Sequence, residues 1–371
     1  MSHYDVVIVG AGIAGASLAS ELAPSRSVLL IEAEATPGYH TTGRSNAIWQ
    51  ATYGGPGVEP LTTASRSWLQ NPPSDFSDTG FLAPRGTLMI ARDGDAPAVD
   101  AFFASFASRS VGLERIDQPA LKARLPGVRS QWTSGIFEAS SADIDVAGLH
   151  AAYLGDARRH GATIITSAAL TSAHRRAGVW SITTSSGEAT ADTLVNAAGA
   201  WADQVATLAG ARPLGIQPFR RTITQIAVDF DVPPDLPLIN DINGAFYFRP
   251  ERGRVWLSPH DETPSVACDA APEELDIAIA IDRFEQVVDW PVRRVEHSWA
   301  GLRSFAPDRL PVYGFDPDCT GFFWFAGQGG FGIQTAPAAA KLAASLITAR
   351  SPDVLVRDID PAHYAPGRIA A

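Results

Sequence analysis

Cysteine is scarce in this chain, and long apolar runs are absent from it. The 371 residues include 2 cysteines, Cys268 and Cys319, too few for a disulfide framework and without metal-ligand spacing, so we predict no metal site. No apolar run is long enough to cross a membrane, and a strand that begins at about residue 4 argues against a cleavable signal peptide. We therefore expect a cytoplasmic protein without a transmembrane segment, and peripheral membrane contact stays open.

Basic residues are fewer than acidic ones, 29 against 40. The formal net charge is −11 and no basic patch is evident, so we expect no nucleic-acid partner. Lys122 and Lys341 are the only lysines, and every other basic residue among the 29 is an arginine. The length suits two domains or one large elaborated domain, and the 46% of apolar residues is ordinary for a globular protein.

The chain opens with the elements of a dinucleotide-binding unit. An apolar strand over residues 4–9 leads into a glycine turn at 10–15, a helix to Leu22 and a second apolar strand that ends at Glu32. In this context Gly10 permits the tight turn, Gly12 lets the backbone approach a pyrophosphate, and Gly15 lets the helix pack on the strand. The helix N-terminus attracts phosphate, and Glu32 suits a ribose and disfavours NADP. The motif alone does not distinguish FAD from NAD.

A second glycine turn lies near the other end of the chain. Residues 327–332 follow a short apolar strand at 322–326 and precede a long alanine-rich helix. So dense a glycine cluster favours a ligand close to the backbone, although a tight loop without a ligand is the alternative. If the cofactor is a flavin, the dipole of this helix would stabilise its reduced form. We expect the two turns to face one cofactor.

Several motifs occur together and in order. They are the first turn with Glu32, then residues 39–45 (YHTTGRS), 196–203 (NAAGAWAD), 299–305 (WAGLRSF) and 327–334 (GQGGFGIQ). In this combination the chain resembles the D-amino-acid oxidase family of FAD enzymes, which includes glycine oxidase, sarcosine oxidase and the D-amino-acid dehydrogenases. Within that family it is most similar to bacterial D-arginine dehydrogenase, and the resemblance covers essentially the whole chain.

The fold that follows combines an α/β part with an α+β part. The resemblance and the chain order predict a Rossmann-like FAD-binding domain of the glutathione-reductase type, formed by residues 1–84, 142–215 and 300–371. Residues 217–259 alternate as in an antiparallel sheet. We therefore expect an interleaved antiparallel-sheet domain that binds substrate, formed by residues 85–141 and 216–299.

The resemblance implies a non-covalently bound FAD, since no cysteine lies near the flavin motifs. Ala169 is expected to contact the adenine through its backbone, and residues 42–46 are expected to lie along the flavin. The full set of expected cofactor residues is Gly10, Gly12, Ile13, Ala14, Gly15, Glu32, Thr42, Gly43, Arg44, Ser45, Asn46, Ala169, Ala198, Gly199, Trp201, Gly301, Arg303, Gln328, Gly329, Gly330, Phe331, Gly332, Ile333 and Gln334.

The expected substrate is an α-amino acid, whose carboxylate calls for the forked donor of arginine. By resemblance Arg303, in an apolar, glycine-bearing turn, and Arg221 bind this carboxylate. Arg220 is the competitor of Arg221, because neighbours on a strand point to opposite faces. Tyr247 would donate to the carboxylate, and Tyr53 would close the site from a mobile loop at 48–56. The predicted catalytic residues are Tyr53, Arg221, Tyr247, Arg303 and Gln334, the last contacting the flavin or the substrate amine.

The pocket for the substrate side chain is expected to include Ile48, Thr87, Leu238 and Asn240. Here the chain departs from D-arginine dehydrogenase, because Ile48 replaces a loop histidine and Thr87 replaces the glutamate that receives the arginine side chain. A second acidic position is Gly244 in this chain. A guanidinium buried without a carboxylate costs several kcal/mol. We therefore expect neutral or apolar side chains, with D-Arg and D-Lys as poor substrates.

The predicted function is FAD-dependent oxidative deamination of a D-amino acid to a 2-oxo acid and ammonia, by hydride transfer to flavin N5. In the sarcosine-oxidase branch a lysine near the flavin assists reaction with oxygen. Neither Lys122 nor Lys341 suits that role, which favours a dehydrogenase with a quinone or other electron acceptor. Three alternatives stay open: an amine or imino-acid oxidase of the glycine or sarcosine oxidase type that releases hydrogen peroxide, a 2-hydroxy-acid dehydrogenase, and a non-enzymatic flavin-bearing subunit. Ile48 in place of histidine counts against the second, although His40 and His297 remain unassigned.

Overall fold

The helices and strands below are those of a computed structural model, which describes residues 2–369. The strands in chain order are β1 (Ser2–Val9), β2 (Val28–Ile31), β3 (Ile48–Trp49), β4 (Leu82–Pro84), β5 (Thr87–Arg92), β6 (Leu113–Asp117), β7 (Trp132–Glu138), β8 (Ala142–Ile144), β9 (Thr163–Ile165), β10 (Leu170–Arg176), β11 (Val179–Thr184), β12 (Gly187–Asn196), β13 (Gln217–Val228), β14 (Leu238–Asp241), β15 (Tyr247–Glu251), β16 (Arg254–Ser258), β17 (Thr263–Pro264), β18 (Val292–Phe305), β19 (Val312–Phe315), β20 (Phe322–Ala326) and β21 (Gln328–Gly329). The helices are α1 (Ile13–Leu22), α2 (Glu59–Gln70), α3 (Ala96–Ser105), α4 (Gln118–Arg124), α5 (Val146–Arg159), α6 (Ala202–Leu208), α7 (Glu274–Glu285) and α8 (Gly332–Thr348).

The first sheet is parallel at its centre. Strands β9, β2, β1 and β12 lie side by side, and the C-terminal end of β12 also pairs in parallel with β20. The apolar runs of β1 and β2 are buried because helices cover both faces, as parallel sheets require. Helices α1, α5 and α8 pack together on one face, and α6 contributes to the core on the other.

The second sheet is larger and mostly antiparallel. Its strands follow the order β21, β18, β13, β16, β15, β14, β5, β7, β6, with β17 added at β13. The pairing of β5 with β14 is parallel, unlike its neighbours. Helix α7 covers this sheet through Phe284, which packs in a core with Phe248 and Trp290. The predicted fold class, a Rossmann-like unit with an interleaved antiparallel sheet, is confirmed.

The chain order of the two sheets bears on the expected domain boundaries. Strands β5 to β7 and β13 to β17 belong to the second sheet and come from residues 85–141 and 216–299. However, β18 continues to Phe305, so the boundary predicted at residue 300 falls inside a strand. The division into two domains stays a prediction. Within residues 2–369, no helix combines the length and the apolar character needed to cross a membrane.

Candidate active site

Two glycine turns border one cavity of about 400 Å³. The first turn follows β1 and the second joins β20 to α8, and both strands run parallel to β12, which lies between them. The C-terminal ends of parallel strands meet at the same edge of a sheet, where ligands of open α/β folds bind. Gly10 and Gly12 of the first turn and Gly329 and Gly330 of the second line this main cavity.

The three glycines of the first turn have different surroundings. Gly10 has a φ of 100°, and a Cβ there would lie 2.6 Å from the Ala197 carbonyl oxygen. A Cβ at Gly15 would lie 1.9 Å from the Gly10 carbonyl oxygen, so Gly15 permits the contact of helix and strand and does not line the cavity. At Gly12 the nearest atom to a Cβ would be Thr42 Oγ1 at 3.2 Å, and the residue lines the cavity. Gly12 is therefore the glycine that leaves room for a ligand.

Glu32 is held at the cavity by backbone donors. Its Oε2 accepts a hydrogen bond from the Ala11 N–H at 2.8 Å, and its Oε1 accepts one from the Glu34 N–H at 3.0 Å. These bonds fix the carboxylate and leave further lone pairs for the cavity that Glu32 lines. That arrangement suits the hydroxyls of a ribose.

Some residues that line the main cavity carry buried polar atoms without a hydrogen-bond partner. Among residues 2–369, Asn46 Oδ1, Arg221 Nη1 and Ser304 Oγ have no hydrogen bond, and all three residues line the cavity. Buried polar atoms in folded proteins are nearly always hydrogen-bonded. In addition, the N-cap residues of α1 and α8, Gly12 and Phe331, supply no side-chain cap. The cavity therefore suits a polar ligand with phosphate groups, and FAD fits this donor set.

Most residues expected at the cofactor line the main cavity: Gly10, Gly12, Ile13, Ala14, Glu32, Thr42, Arg44, Ser45, Asn46, Ala169, Ala198, Gly199, Trp201, Gly301, Arg303, Gln328, Gly329, Gly330, Gly332 and Ile333. Gly15, Gly43, Phe331 and Gln334 do not line it. At Gly43 a Cβ would lie 2.8 Å from the Gly38 carbonyl oxygen, so this glycine serves the packing of a turn. Phe331 packs in an apolar cluster with Val58 and Phe305.

Gln334 has a different position from the one expected, because its amide is used inside the protein. Its side chain is buried, Oε1 accepts from the Gln50 N–H at 3.1 Å, and Nε2 donates to Thr62 Oγ1 at 2.9 Å and to the Tyr53 carbonyl at 3.2 Å. Both ends of the amide are thus committed. Gln334 therefore holds the loop at 48–56, and its expected contact with a flavin or an amine stays a prediction.

Two further cofactor residues line the cavity but use their donors elsewhere. The N–H of Ala169 donates to Ser185 Oγ at 3.0 Å and its carbonyl accepts one bond, from the Ser185 N–H, so only the second lone pair of the carbonyl is left for the expected adenine contact, which stays a prediction. The guanidinium of Arg44 pairs with Asp269 at 2.5 Å and donates to the Ala270 carbonyl at 2.9 Å. Arg44 therefore ties its segment to residues 269–270.

Arg221 and Arg303 come together because of strand register. On the antiparallel pair β13 and β18, Arg221 is opposite Gly301 and Arg303 is opposite Phe219. Residues offset by two positions across such a pair share a face, so the two guanidinium groups project to the same side. Arg220 points to the other side, where it pairs with Glu273 and with Asp276 at 2.9 Å. Arg303 lies within strand β18, and not in the turn that the glycine at 301 suggested.

Two tyrosines complete this group. Arg303 Nη1 donates to the Tyr53 hydroxyl at 2.9 Å and Nη2 to the Tyr247 hydroxyl at 3.5 Å. The Arg221 guanidinium carbon lies 6.0 Å from the centre of the Tyr247 ring. We call these four residues the arginine–tyrosine cluster. Of the five predicted catalytic residues, four have side chains in this cluster, and Gln334 contacts it through the backbone carbonyl of Tyr53.

The arginine–tyrosine cluster carries an excess of positive charge. Arg221 is 3% exposed; its Nε donates to the Asp261 carbonyl at 2.7 Å and its Nη2 to Glu262 Oε1 at 3.2 Å, which leaves Nη1 unbonded. Burial lowers the pKa of Arg221, and the charge of Arg303 lowers it further. The buried guanidinium of Arg221, with its free donor, and the neighbouring guanidinium of Arg303 together suit a carboxylate.

The residues expected around the substrate side chain lie on strands, and one of them pairs with a strand residue of the cluster. Asn240 is the register partner of Tyr247, and Leu238 is the partner of Thr87. Thr87 is fully buried and, within residues 2–369, its hydroxyl has no partner. Ile48 is half-buried at the start of β3. These four residues are outside the lining of the main cavity.

His260 is a site residue that the sequence alone did not reveal. Its ring lies edge-on to Tyr247, with 5.6 Å between ring centres, and its Nδ1 bonds to the Gly244 carbonyl, which makes Nδ1 the protonated nitrogen. Burial, with the charges of Arg221 and Arg303, lowers the pKa of His260 to about 3. His260 follows β16, where Ser258 is the register partner of Tyr247, so only the hairpin pairing could have located it.

Glu138 was also missed, because its role depends on a distant loop. Its carboxylate is fully buried and accepts from the Ala51 N–H at 2.8 Å and from Thr52 Oγ1 at 2.7 Å. Both partners immediately precede Tyr53. Glu138 and Gln334 therefore fix from two sides the loop at 48–56, which the sequence predicts to be mobile.

The two lysines lie away from the cavity. Lys122 is exposed on α4, and Lys341 on α8 pairs with Glu21 and Asp353, both at 3.2 Å. Neither residue lines the main cavity. The expectation that no lysine approaches the flavin site agrees with their positions.

Comparison with known proteins gives a match to one family model, described as FAD dependent oxidoreductase (DAO), over residues 5–346. Dimethylglycine dehydrogenase from mouse (Mus musculus) is 26% identical over 97% of this chain and 44% of its own length. Glycine oxidase from Pseudomonas aeruginosa is 31% identical over 51% of this chain and 49% of its own length. The crystal structure of glycine oxidase from Geobacillus kaustophilus superimposes with a TM-score of 0.86 at 20% identity, covering 100% of both chains.

These matches differ in what they cover. This chain spans less than half the length of dimethylglycine dehydrogenase, and the structural match at 20% identity concerns the fold alone. The matches agree with the resemblance at the level of the family. They are to glycine oxidase and dimethylglycine dehydrogenase, and they do not specifically support D-arginine dehydrogenase as the nearest relative.

Proposed function

This chain belongs to the family of FAD-dependent oxidoreductases, with FAD as its cofactor, and from that premise we propose that it oxidises D-amino acids with neutral or apolar side chains. The observation that carries the proposal is the arginine–tyrosine cluster beside the main cavity. There Arg221 Nη1 is buried without a partner, and Arg303 is oriented by the hydroxyls of Tyr53 and Tyr247. A cluster of this kind binds and orients a substrate carboxylate next to the cofactor.

In the proposed reaction, Arg221 and Arg303 hold the carboxylate so that the α-hydrogen faces the cofactor, and FAD supplies the acceptor for the hydride. The amine nitrogen loses a proton to solvent as its lone pair forms the C=N bond. Water then adds to the imine, and ammonia leaves to give the 2-oxo acid. The protein contributes orientation and charge, and no side chain has to abstract the α-proton.

His260 favours an amine over a 2-hydroxy acid as the substrate. A hydroxy acid needs a base to take the proton of its hydroxyl group, and histidine is the usual one. The imidazole beside the cluster is His260, whose pKa of about 3 makes it too weak a base for this step near neutral pH. An amine in its neutral form needs no such base.

The surroundings of Thr87 support a neutral or apolar side chain. Glu138 is the register partner of Thr87, so its carboxylate is the acid nearest to that position along the sheet. However, both of its oxygens bond to the loop at Ala51 and Thr52. The Ser140 hydroxyl also donates to Oε1, at 3.3 Å, so this carboxylate is already engaged within the protein and is a poor partner for the guanidinium of D-Arg, whose burial would be costly.

The electron acceptor that we propose is a quinone or a similar carrier rather than oxygen. Lys341 is paired with two carboxylates and Lys122 is exposed on α4, so neither supplies a positive charge at the main cavity. After anaerobic reduction, reoxidation by a quinone should be much faster than reoxidation by oxygen. Rapid reoxidation by oxygen with release of peroxide would instead identify an oxidase.

The test of the substrate class is anaerobic bleaching of the bound flavin by a panel of compounds. D-Ala and D-Phe should reduce it, whereas D-Arg, the L-enantiomers and 2-hydroxy acids should not. Arg221→Met should raise the substrate Kd about 100-fold, as expected for a lost charged hydrogen bond. Arg220→Met is the matched control, because Arg220 is the next residue on β13 but faces α7. A highest kcat/KM with D-Arg would contradict the proposed side-chain preference, and bleaching by hydroxy acids alone would contradict the reaction.

A further inference from the structure

Glu262 lies between a buried arginine of the cluster and an arginine at the surface. Its Oε1 accepts from Arg221 Nη2 at 3.2 Å, and both of its oxygens accept from Arg309 Nη2 at 2.9 Å. The side chain of Arg221 is 3% exposed, and that of Arg309 is 50% exposed. The Glu262 carboxylate thus connects a buried arginine of the cluster with an arginine that is half exposed to solvent.

The backbone on both sides of this carboxylate is constrained. His260 has a φ of 55° and Arg309 a φ of 65°, both in the left-handed region that non-glycine residues rarely adopt. The guanidinium carbon of Arg309 lies 4.0 Å from the centre of the Phe305 ring, which fixes the direction of the side chain. Such backbone persists where the surroundings hold it in place, and it is common at functional sites. The position of Arg309 against Glu262 is therefore defined by the fold.

The negative charge of Glu262 repels that of a substrate carboxylate. The unbonded Nη1 of Arg221 is where a carboxylate would add, while Nη2 of the same guanidinium already faces Glu262. Two carboxylates on one guanidinium repel each other, more strongly where water is excluded. Arg309 reduces this repulsion, because its cation lies within hydrogen-bond distance of both oxygens of Glu262, including the Oε1 that Arg221 also contacts.

We propose that Glu262 is a positioning residue that acts through Arg221: it orients and partly neutralises Arg221 in the free enzyme, and Arg309 draws its charge away when a substrate carboxylate binds. This inference rests on the proposed function, since it takes the arginine–tyrosine cluster to be a carboxylate site. It concerns the affinity of the site, and it leaves the chemical step unchanged.

The test uses variants of the two partners in the FAD-loaded enzyme. Glu262→Gln keeps an acceptor for Arg221 but removes the charge, so it should bind carboxylates about fivefold more tightly. Arg309→Met removes the competing cation, so it should bind them about fivefold more weakly. In the double variant the loss of Arg309 should have no further effect. A purely structural role would weaken binding in both single variants.

Propionate is the probe, because it carries the carboxylate without an amine and does not depend on turnover. Its Kd is measured by isothermal titration calorimetry and by the change it causes in the flavin absorption spectrum. The same variants are then mixed anaerobically with D-Ala, and the limiting rate of flavin reduction should change less than about threefold while the Kd follows that of propionate.

The outcomes separate the inference from the proposed function. Opposite shifts for propionate support the inference, even if no D-amino acid reduces the flavin, a result that would overturn the proposed function alone. Equal shifts, absent shifts or an effect of Arg309→Met that persists without Glu262 overturn the inference. If the wild-type enzyme binds no propionate, the cluster is not a carboxylate site and the inference fails with it.

Discussion

Replacing His260 with glutamine is expected to make the protein less sensitive to mild acid. In the folded protein, burial and the charges of Arg221 and Arg303 lower the pKa of His260 from 6.5 to about 3. The imidazole therefore stays neutral in the folded state, whereas in the unfolded chain it takes up a proton below pH 6.5. Because the unfolded state then binds the extra proton, the contribution of His260 to stability is complete above about pH 6.5 and is lost as the pH falls toward 3.

The size of the effect follows from the difference between the two pKa values. Each pH unit between them is worth about 1.4 kcal/mol, so at pH 5 the folded protein has lost about 2 kcal/mol relative to pH 7 through this residue. Glutamine does not titrate. The stability difference between the wild type and His260→Gln should therefore shift by about 2 kcal/mol over that range, or roughly 2–3 °C in Tm for a chain of this length.

The assay is thermal unfolding of the FAD-loaded wild type and variant at pH 5, 6 and 7, with free FAD in excess. His174→Gln is the control, because His174 is exposed on β10 and makes no hydrogen bond among residues 2–369. The control should keep a nearly constant difference in Tm from the wild type. A constant difference for His260→Gln, or an NMR titration of its imidazole near pH 6.5, would refute the reasoning.

Two further predictions concern the cavity and the loop beside it. Gly12→Ala should fold but lose FAD on gel filtration, because Gly12 lines the cavity and its Cβ would meet only the Thr42 hydroxyl within the protein, at a tight 3.2 Å. Gly15→Ala should instead fail to fold, because its Cβ would lie 1.9 Å from a carbonyl oxygen. A folded Gly12→Ala with unchanged FAD affinity would contradict this. Glu138→Ala leaves two donors without an acceptor, at a cost of about 1–3 kcal/mol each, so the loop at 48–56 should become sensitive to protease and the KM should rise about tenfold as Tyr53 loses its support. The KM of Glu138→Gln should lie between those of the wild type and the alanine variant. An unchanged KM in the alanine variant would show that the position of the loop does not depend on Glu138.

The parts of the site that the sequence predicts are those encoded within one short segment. The turn at Gly10 to Gly15 carries its own strand, helix and acid, so local pattern suffices to place it. The second turn, at 327–332, is equally local. That the two turns share one cavity could be expected because both follow strands of a single parallel sheet.

The parts that the sequence does not predict depend on pairing between distant segments. The apolar, glycine-bearing segment around Arg303 suggested a turn, yet β18 continues through it because its register with β13 supplies partners along most of its length. That same register decides between Arg220 and Arg221. Gln334 is set by partners near residues 50 and 62, which no local pattern connects to α8. Tertiary contacts override local propensity in each case.

The arginine–tyrosine cluster shows why its residues are better explained by a ligand than by stability. Arg221 is buried, its pKa is lowered, and it keeps an unbonded donor, all of which oppose folding. A core of similar volume built from apolar residues would avoid these costs. The sheet nevertheless holds two guanidinium groups on one face. Tyrosine hydroxyls and the Glu262 carboxylate are their hydrogen-bonded side-chain partners, and an oxygen of Asp261 lies 3.9 Å from Arg221 Nε. An anion that binds there would offset these unfavourable terms, so the same arrangement that weakens the free protein suits the carboxylate that we propose as its ligand.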